Sequence, residues 1–102
     1  MKIKIIWNNT TIAESEDFRI VESCYYFPPS SVKMQFLKKN GNQHVSRWKG
    51  TADLYDIVVD DKTNKAAALS YSCPNEGLEK IEGYISFGKS VEVVKEKNAK
   101  SF

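Results

Sequence analysis

A chain of 102 residues, 41% hydrophobic and 27% charged, has the size and composition of one globular domain, which excludes fibrous, collagen-like and disordered classes. Fifteen basic and thirteen acidic residues leave a net charge of +2, too little for nucleic-acid binding driven by charge alone. No apolar run approaches the ~20 residues of a membrane helix, and no apolar segment of signal-peptide length follows the basic start, so a cytoplasmic domain without a membrane partner is expected.

Residues 2–7 alternate Lys with Ile and predict a strand. Asn8-Asn9 is a turn signal that tolerates positive φ, and residues 10–14 resume as a second strand, giving a hairpin. Residues 18–22 alternate again and predict a third strand. Tyr25-Tyr26-Phe27 is an aromatic strand that stops at Pro28-Pro29, because proline cannot donate to a ladder. Pro28-Pro29-Ser30-Ser31 can open a short helix or a turn, and alternation over residues 32–37 leaves a strand open as well.

Lys38-Lys39-Asn40-Gly41-Asn42 predicts a basic hairpin tip around an Asn-Gly turn. Strands are predicted at 43–49 and 54–59, a turn at 60–64 and a further strand at 66–71. Residues 73–77 predict a loop, and Leu78-Glu79-Lys80-Ile81 one helical turn at most. The last strands are expected at 83–87 and 90–94. Seven to nine short strands with frequent turns imply an all-β domain over residues 1–94, followed by a polar tail at 95–102.

Two cysteines, Cys24 and Cys73, stand far apart and form no CxxC pair. Together with one histidine they fall short of a four-ligand zinc site, so no metal or other cofactor is implied. Two half-buried, reduced thiols are expected.

The densest chemistry lies in residues 44–55, where His44, Trp48, Lys49 and Tyr55 fall within twelve positions and Gly50 follows the lysine directly. Several blocks, in order, carry a family resemblance: Trp7-Asn8-Asn9-Thr10-Thr11-Ile12-Ala13-Glu14-Ser15, Tyr26-Phe27-Pro28-Pro29-Ser30-Ser31-Val32, Trp48-Lys49-Gly50-Thr51-Ala52, Tyr55-Asp56, Ala67-Ala68, Tyr71 with Pro74, and Ile81-Glu82-Gly83-Tyr84-Ile85-Ser86-Phe87. Over residues 4–93 or so, the chain resembles the bacterial domain-of-unknown-function family 427. The resemblance implies a small β-tent-like fold of two antiparallel sheets with one or two short helical turns. It implies no established activity, although the family is sometimes filed under a nucleotidyltransferase label. Its members usually carry Cys-Pro before Trp-Lys-Gly, where this chain has Ser46-Arg47, so a thiolate role at that place is lost here. An acidic residue usual before the valine is replaced by Ser30-Ser31, and the paired CxxC motifs of zinc-binding β-tent relatives are absent.

The expected site is a cleft lined by Trp7, Tyr26, His44, Trp48, Lys49 and Tyr55 that takes a small anionic or aromatic ligand. Lys49 would supply a charge, the aromatics a stacking surface and His44 a hydrogen bond. If the domain is an enzyme, His44 and Lys49 are the candidate catalytic residues. As structural residues the same side chains would instead fill the core, with Trp48 expected there by its size and Lys49 pointing away from it by strand alternation. Glu14 and Asp56 are acids that would do acid/base or metal work only if they met. Lys49-Gly50-Thr51 is no phosphate loop, since the order is inverted and the upstream glycine is missing. The alternative function is a protein-interaction module with no catalytic activity. A nucleic-acid partner finds support only in Lys38, Lys39, Arg47 and Lys49.

Overall fold

Asn8 and Asn9 take φ angles of 52° and 59°, the left-handed values that close a two-residue turn and that asparagine adopts more readily than other side chains. They join strand β1 (Lys2–Trp7) to β2 (Thr10–Ser15) as the first hairpin. In the computed structural model, which describes residues 1–97, β9 (Glu92–Glu96) pairs with the free side of β1 and completes a three-stranded antiparallel sheet ordered β2-β1-β9.

The other strands are β3 (Arg19–Val21), β4 (Cys24–Phe27), β5 (Leu37–Ser46), β6 (Gly50–Val59), β7 (Lys62–Pro74) and β8 (Ile85–Phe87). They form a six-stranded antiparallel sheet ordered β3-β4-β8-β7-β6-β5, with β3 and β5 as its two edges. The expected all-β class with two antiparallel sheets therefore holds, and the sheets do not close into a barrel. The helical content described is three 3₁₀ turns, at Pro29–Ser31, Met34–Phe36 and Glu79–Ile81. The first opens at the two prolines, whose missing N–H groups cost nothing there. Among the described residues no helix is long and apolar enough to cross a membrane.

The main core lies where the two sheets meet. Ile3 and Ile5 of β1 and Ile12 and Ala13 of β2 pack with Phe27, Ile57, Ala67, Ala68 and Ile85 of the large sheet. Each fully buried isoleucine contributes about 1.5–3 kcal/mol by leaving water. Tyr26 adjoins Phe27 in β4, so alternation sends it to the other face, where it packs with Val21, Ala52, Tyr71, Leu78 and Ile81. Tyr26 and Tyr71 of this second cluster also line the cleft described below.

Several segments differ from the sequence-based expectation. Asn40-Gly41-Asn42 is a bulge inside β5 and not a hairpin tip. Lys39 pairs with Tyr55 and Gln43 with Asp53, so three residues of β5 face Leu54 alone. Two residues along β6, Lys65, Ala66 and Ala67 of β7 face Asp56 alone. Asp56 Oδ1 joins these two irregularities, accepting from Asn40 Nδ2 at 3.0 Å and from the Ala66 backbone N–H at 2.8 Å. Ala66 takes φ 53°, unfavourable for alanine, and this hydrogen bond helps hold it there.

The second difference is the end of the strand predicted at 43–49. It stops at Ser46, and Arg47, Trp48 and Lys49 form the turn into β6. The third is the reach of β7, which extends through Cys73 and Pro74, expected in a loop. Strand β9 likewise includes Lys95 and Glu96, the first part of the segment read as tail; residues 98–102 lie outside the described residues. Cys24 and Cys73 are free and exposed, where half-buried thiols were expected.

Candidate functional site

The turn at 47–49 is held from three sides. Ser46 Oγ accepts the Lys49 N–H at 3.3 Å. The Asn75 backbone N–H donates to the Lys49 carbonyl at 2.9 Å, and Asn75 Nδ2 donates to the Arg47 carbonyl at 3.1 Å. Gly50 closes the turn at φ +110°, and a Cβ there would stand 3.3 Å from Asn75 N and from the Cys73 carbonyl oxygen. Glycine is thus required by conformation and by contact. Ser46 thus serves as a turn staple.

So fixed, the turn projects Lys49 onto Glu22 and Tyr26. Lys49 Nζ lies 3.0 Å from Glu22 Oε1 and 3.4 Å from the Tyr26 hydroxyl. It also stands 5.9 Å from the centre of the Tyr26 ring and 6.0 Å from that of Trp48, within cation–π range. Trp48 Nε1 donates to the second oxygen of the same carboxylate, Glu22 Oε2, at 3.1 Å. Only 11% of the Lys49 side chain is exposed, against 52% for Glu22.

The charges follow from this geometry. Burial, the largest single influence on Lys49, pulls its ammonium down, but the hydrogen bonds and charges of Glu22 and Tyr26 outweigh it and hold it above the ordinary lysine range. The hydrogen bond from Lys49 holds the Glu22 carboxyl below its ordinary range. Burial pushes the Tyr26 phenol up, against the pull of Lys49. At neutral pH the ammonium is therefore charged and the phenol keeps its proton. A lysine held protonated makes a poor general base, so its chemistry here is that of a fixed positive charge.

Lys49 and Tyr26 line a cleft of about 650 Å³. Strands β4, β7 and β8 floor it, and its lining is mainly apolar, with Ala68, Leu69, Phe87 and Val91 among the contributors. His44 of β5, Tyr71 of β7 and the exposed thiol of Cys24 also face it. A volume of this size suits a small organic molecule.

The six residues expected at the site divide evenly. Tyr26, His44 and Lys49 line the cleft together. Trp48 lies outside the cleft lining, 49% exposed, and is neither a core residue nor set opposite Lys49 by alternation, because both lie in a turn. Trp7 and Tyr55 pack against the core between the sheets, away from the cleft lining. Glu14 and Asp56 do not meet. Glu14 pairs with Lys2 at 3.0 Å in the small sheet, and Asp56 staples the bulges of the large one. Among the described residues no three His, Cys, Asp or Glu side chains converge as a metal site would need.

Two contributors carry no chemical signal in the sequence. Glu22 reaches the site from the β3–β4 turn, where it and Ser23 take φ 52° and 65°. Asn75 reads only as a loop residue. Both act on partners more than twenty-five residues away, which local pattern cannot disclose.

No curated protein matches the chain. The sequence profile described as Domain of unknown function (DUF427) matches residues 1–97, and those residues include every strand and every site residue described above. The chain therefore belongs to the DUF427 family.

Proposed function

We propose that this domain binds a small anionic or aromatic ligand in the cleft beside Lys49. One observation carries the reading: a lysine whose side chain is mostly buried and whose ammonium is held charged at neutral pH lines a mainly apolar cleft large enough for a small molecule. An ammonium removed from water is costly unless it is used or paired. Its partner Glu22 is half-exposed, so the pairing is open to competition from another acceptor. The Tyr26 hydroxyl accepts from Lys49 and, among the described residues, donates to none, so one donor remains beside the charge. The apolar lining favours a ligand with an aromatic or aliphatic body, and Lys49 favours an acidic group on it.

A thermal-shift series with small carboxylates, sugar phosphates and nucleotides tests this on the native protein and on Lys49→Met, which keeps the apolar stem and removes the charge. A ligand at a hundred times its Kd stabilises the fold by about 2.7 kcal/mol, which raises Tm by roughly 10–20 °C in a domain of this size. A shift in the native protein that Lys49→Met abolishes is the expected result. A shift that survives in Lys49→Met refutes the role of the charge. No shift with any compound refutes the reading.

A further inference from the structure

Glu22 occupies its two donors in the way a ligand would. Its two oxygens accept separately, Oε1 from Lys49 Nζ at 3.0 Å and Oε2 from Trp48 Nε1 at 3.1 Å. The donors belong to adjacent residues of a turn clamped by Ser46, Asn75 and Gly50, so the backbone that carries both is fixed before any carboxylate arrives. The acceptor is less constrained. Glu22 is half-exposed and sits on a two-residue turn in which both it and Ser23 adopt left-handed backbone without being glycine or asparagine. Such turns favour Asn-Gly, and glutamate in this conformation is strained. Backbone strain of this kind clusters at ligand clamps and switches.

We propose that the Trp48–Lys49 pair is a two-point carboxylate receptor, that Glu22 fills it in the free protein, and that the acidic group of the ligand is a carboxylate that takes Glu22's place. The idea rests on the cleft reading above for the body of the ligand, and on the receptor geometry for its acidic group. The exchange conserves charge, since one monoanion replaces another on Lys49. Glu22 enters water from a half-exposed position, so its release is inexpensive. A planar carboxylate presents two oxygens of shared charge, as Glu22 does; a phosphate dianion would bring a second charge where Lys49 is already matched by one. Lys49 belongs to both the receptor and the cleft lining, so a bound carboxylate would have its organic substituent beside apolar surface. Glu22 is then an internal competitor that sets the threshold for binding.

The test follows the indole N–H resonance of Trp48 in ¹⁵N-labelled protein, assigned with Trp48→Phe, with Trp7 as the internal reference. Sodium acetate is titrated against sodium chloride at matched ionic strength, into native protein, Glu22→Gln and Lys49→Met. Acetate, unlike chloride, should shift Trp48 in the native protein. The midpoint should fall about three- to tenfold in Glu22→Gln, the change expected when a weak internal competitor no longer holds the site. Lys49→Met should lose the response. Equal midpoints in native and Glu22→Gln overturn the exchange, as does an equal response to chloride. Sodium phosphate acting at lower concentration than acetate overturns the carboxylate assignment. A second titration with 3-phenylpropionate separates the two readings. A midpoint at least tenfold below that of acetate supports a cleft that holds the organic body. Equal midpoints, with the Glu22 dependence intact, refute the cleft reading and leave the exchange standing. Tight 3-phenylpropionate binding that ignores Glu22→Gln refutes the exchange alone.

Discussion

Replacing Gly50 with alanine isolates what fixes the Lys49 turn. Two costs add at this position. The backbone stands at φ +110°, where an L side chain is strained by about 1–2 kcal/mol. The new Cβ also meets Asn75 N and the Cys73 carbonyl at 3.3 Å, tighter than ordinary contact. Neither neighbour yields freely, because Cys73 belongs to β7 and Asn75 is bonded to the carbonyls of Lys49 and Arg47. Overpacking against such atoms costs about 1–3 kcal/mol. The sum, about 2–5 kcal/mol, is a large part of the 5–15 kcal/mol that stabilises a typical domain. Gly41→Ala is the matched control: its φ is +83°, and a Cβ there meets nothing within 4 Å, so it bears the conformational cost alone. Urea unfolding of native, Gly41→Ala and Gly50→Ala proteins, compared at unchanged m, gives both numbers. Gly50→Ala should exceed Gly41→Ala by about 1–3 kcal/mol. Equal losses would show that the approach of Asn75 and Cys73 to Gly50 places no demand on the turn, and the account of a clamped Lys49 would fail with it.

Asp56→Ala should destabilise by about 0.5–1.5 kcal/mol in the same assay, since it leaves Asn40 and the strained Ala66 backbone without their shared acceptor; a loss within error would refute the staple. The backbone N–H of Ala66 and the Asn40 side chain hold the Asp56 carboxyl below its ordinary range. With the folded pKa below the unfolded one, its contribution is complete above about pH 4 and disappears as the pH falls through the folded value. The stability gap between native protein and Asp56→Asn should therefore narrow on acidification below pH 4, and a gap that widens there contradicts the assignment. Asn75→Ala removes the side-chain bond to Arg47 but keeps the backbone bond to Lys49, so it should cost about 0.5–1.5 kcal/mol and broaden the Trp48 indole resonance; a sharp, unshifted resonance would show that the turn does not depend on that side chain.

What the sequence disclosed was mostly local. The β1–β2 hairpin follows from Lys-Ile alternation and two asparagines, and the end of β4 from Pro28-Pro29. What it concealed was decided across the sheet. Asn40-Gly41-Asn42 carries the same local signal as a hairpin tip, and only Asp56, sixteen residues on, makes it a bulge within a continuous strand. Arg47-Trp48-Lys49 reads as strand because the residues that turn it, Ser46 and Asn75, offer no more than ordinary turn chemistry. The site was half visible for the same reason. Tyr26, His44 and Lys49 declare themselves by residue type, whereas Glu22 looks like the solvated end of a strand. Trp48 was expected inside, yet its N–H has a charged partner at the surface, and that bond fixes an exposed indole.

The bulge in β5 bears on how this protein behaves at high concentration. Strand β5 is ten residues long and lies at the edge of its sheet, with an outer row of backbone donors and acceptors that no other strand covers among the described residues. A straight edge of that length is a template on which a second chain can add by backbone pairing, the first step toward cross-β aggregates. Asn40-Gly41-Asn42 breaks the regular repeat near the middle of that edge, and Lys38 and Lys39 charge the stretch before it. An incoming strand would find two short, offset ladders in place of one long one. Solubility in this domain thus depends in part on a local irregularity in pairing, and a variant that straightened β5 could gain hydrogen-bond regularity while losing its resistance to self-association.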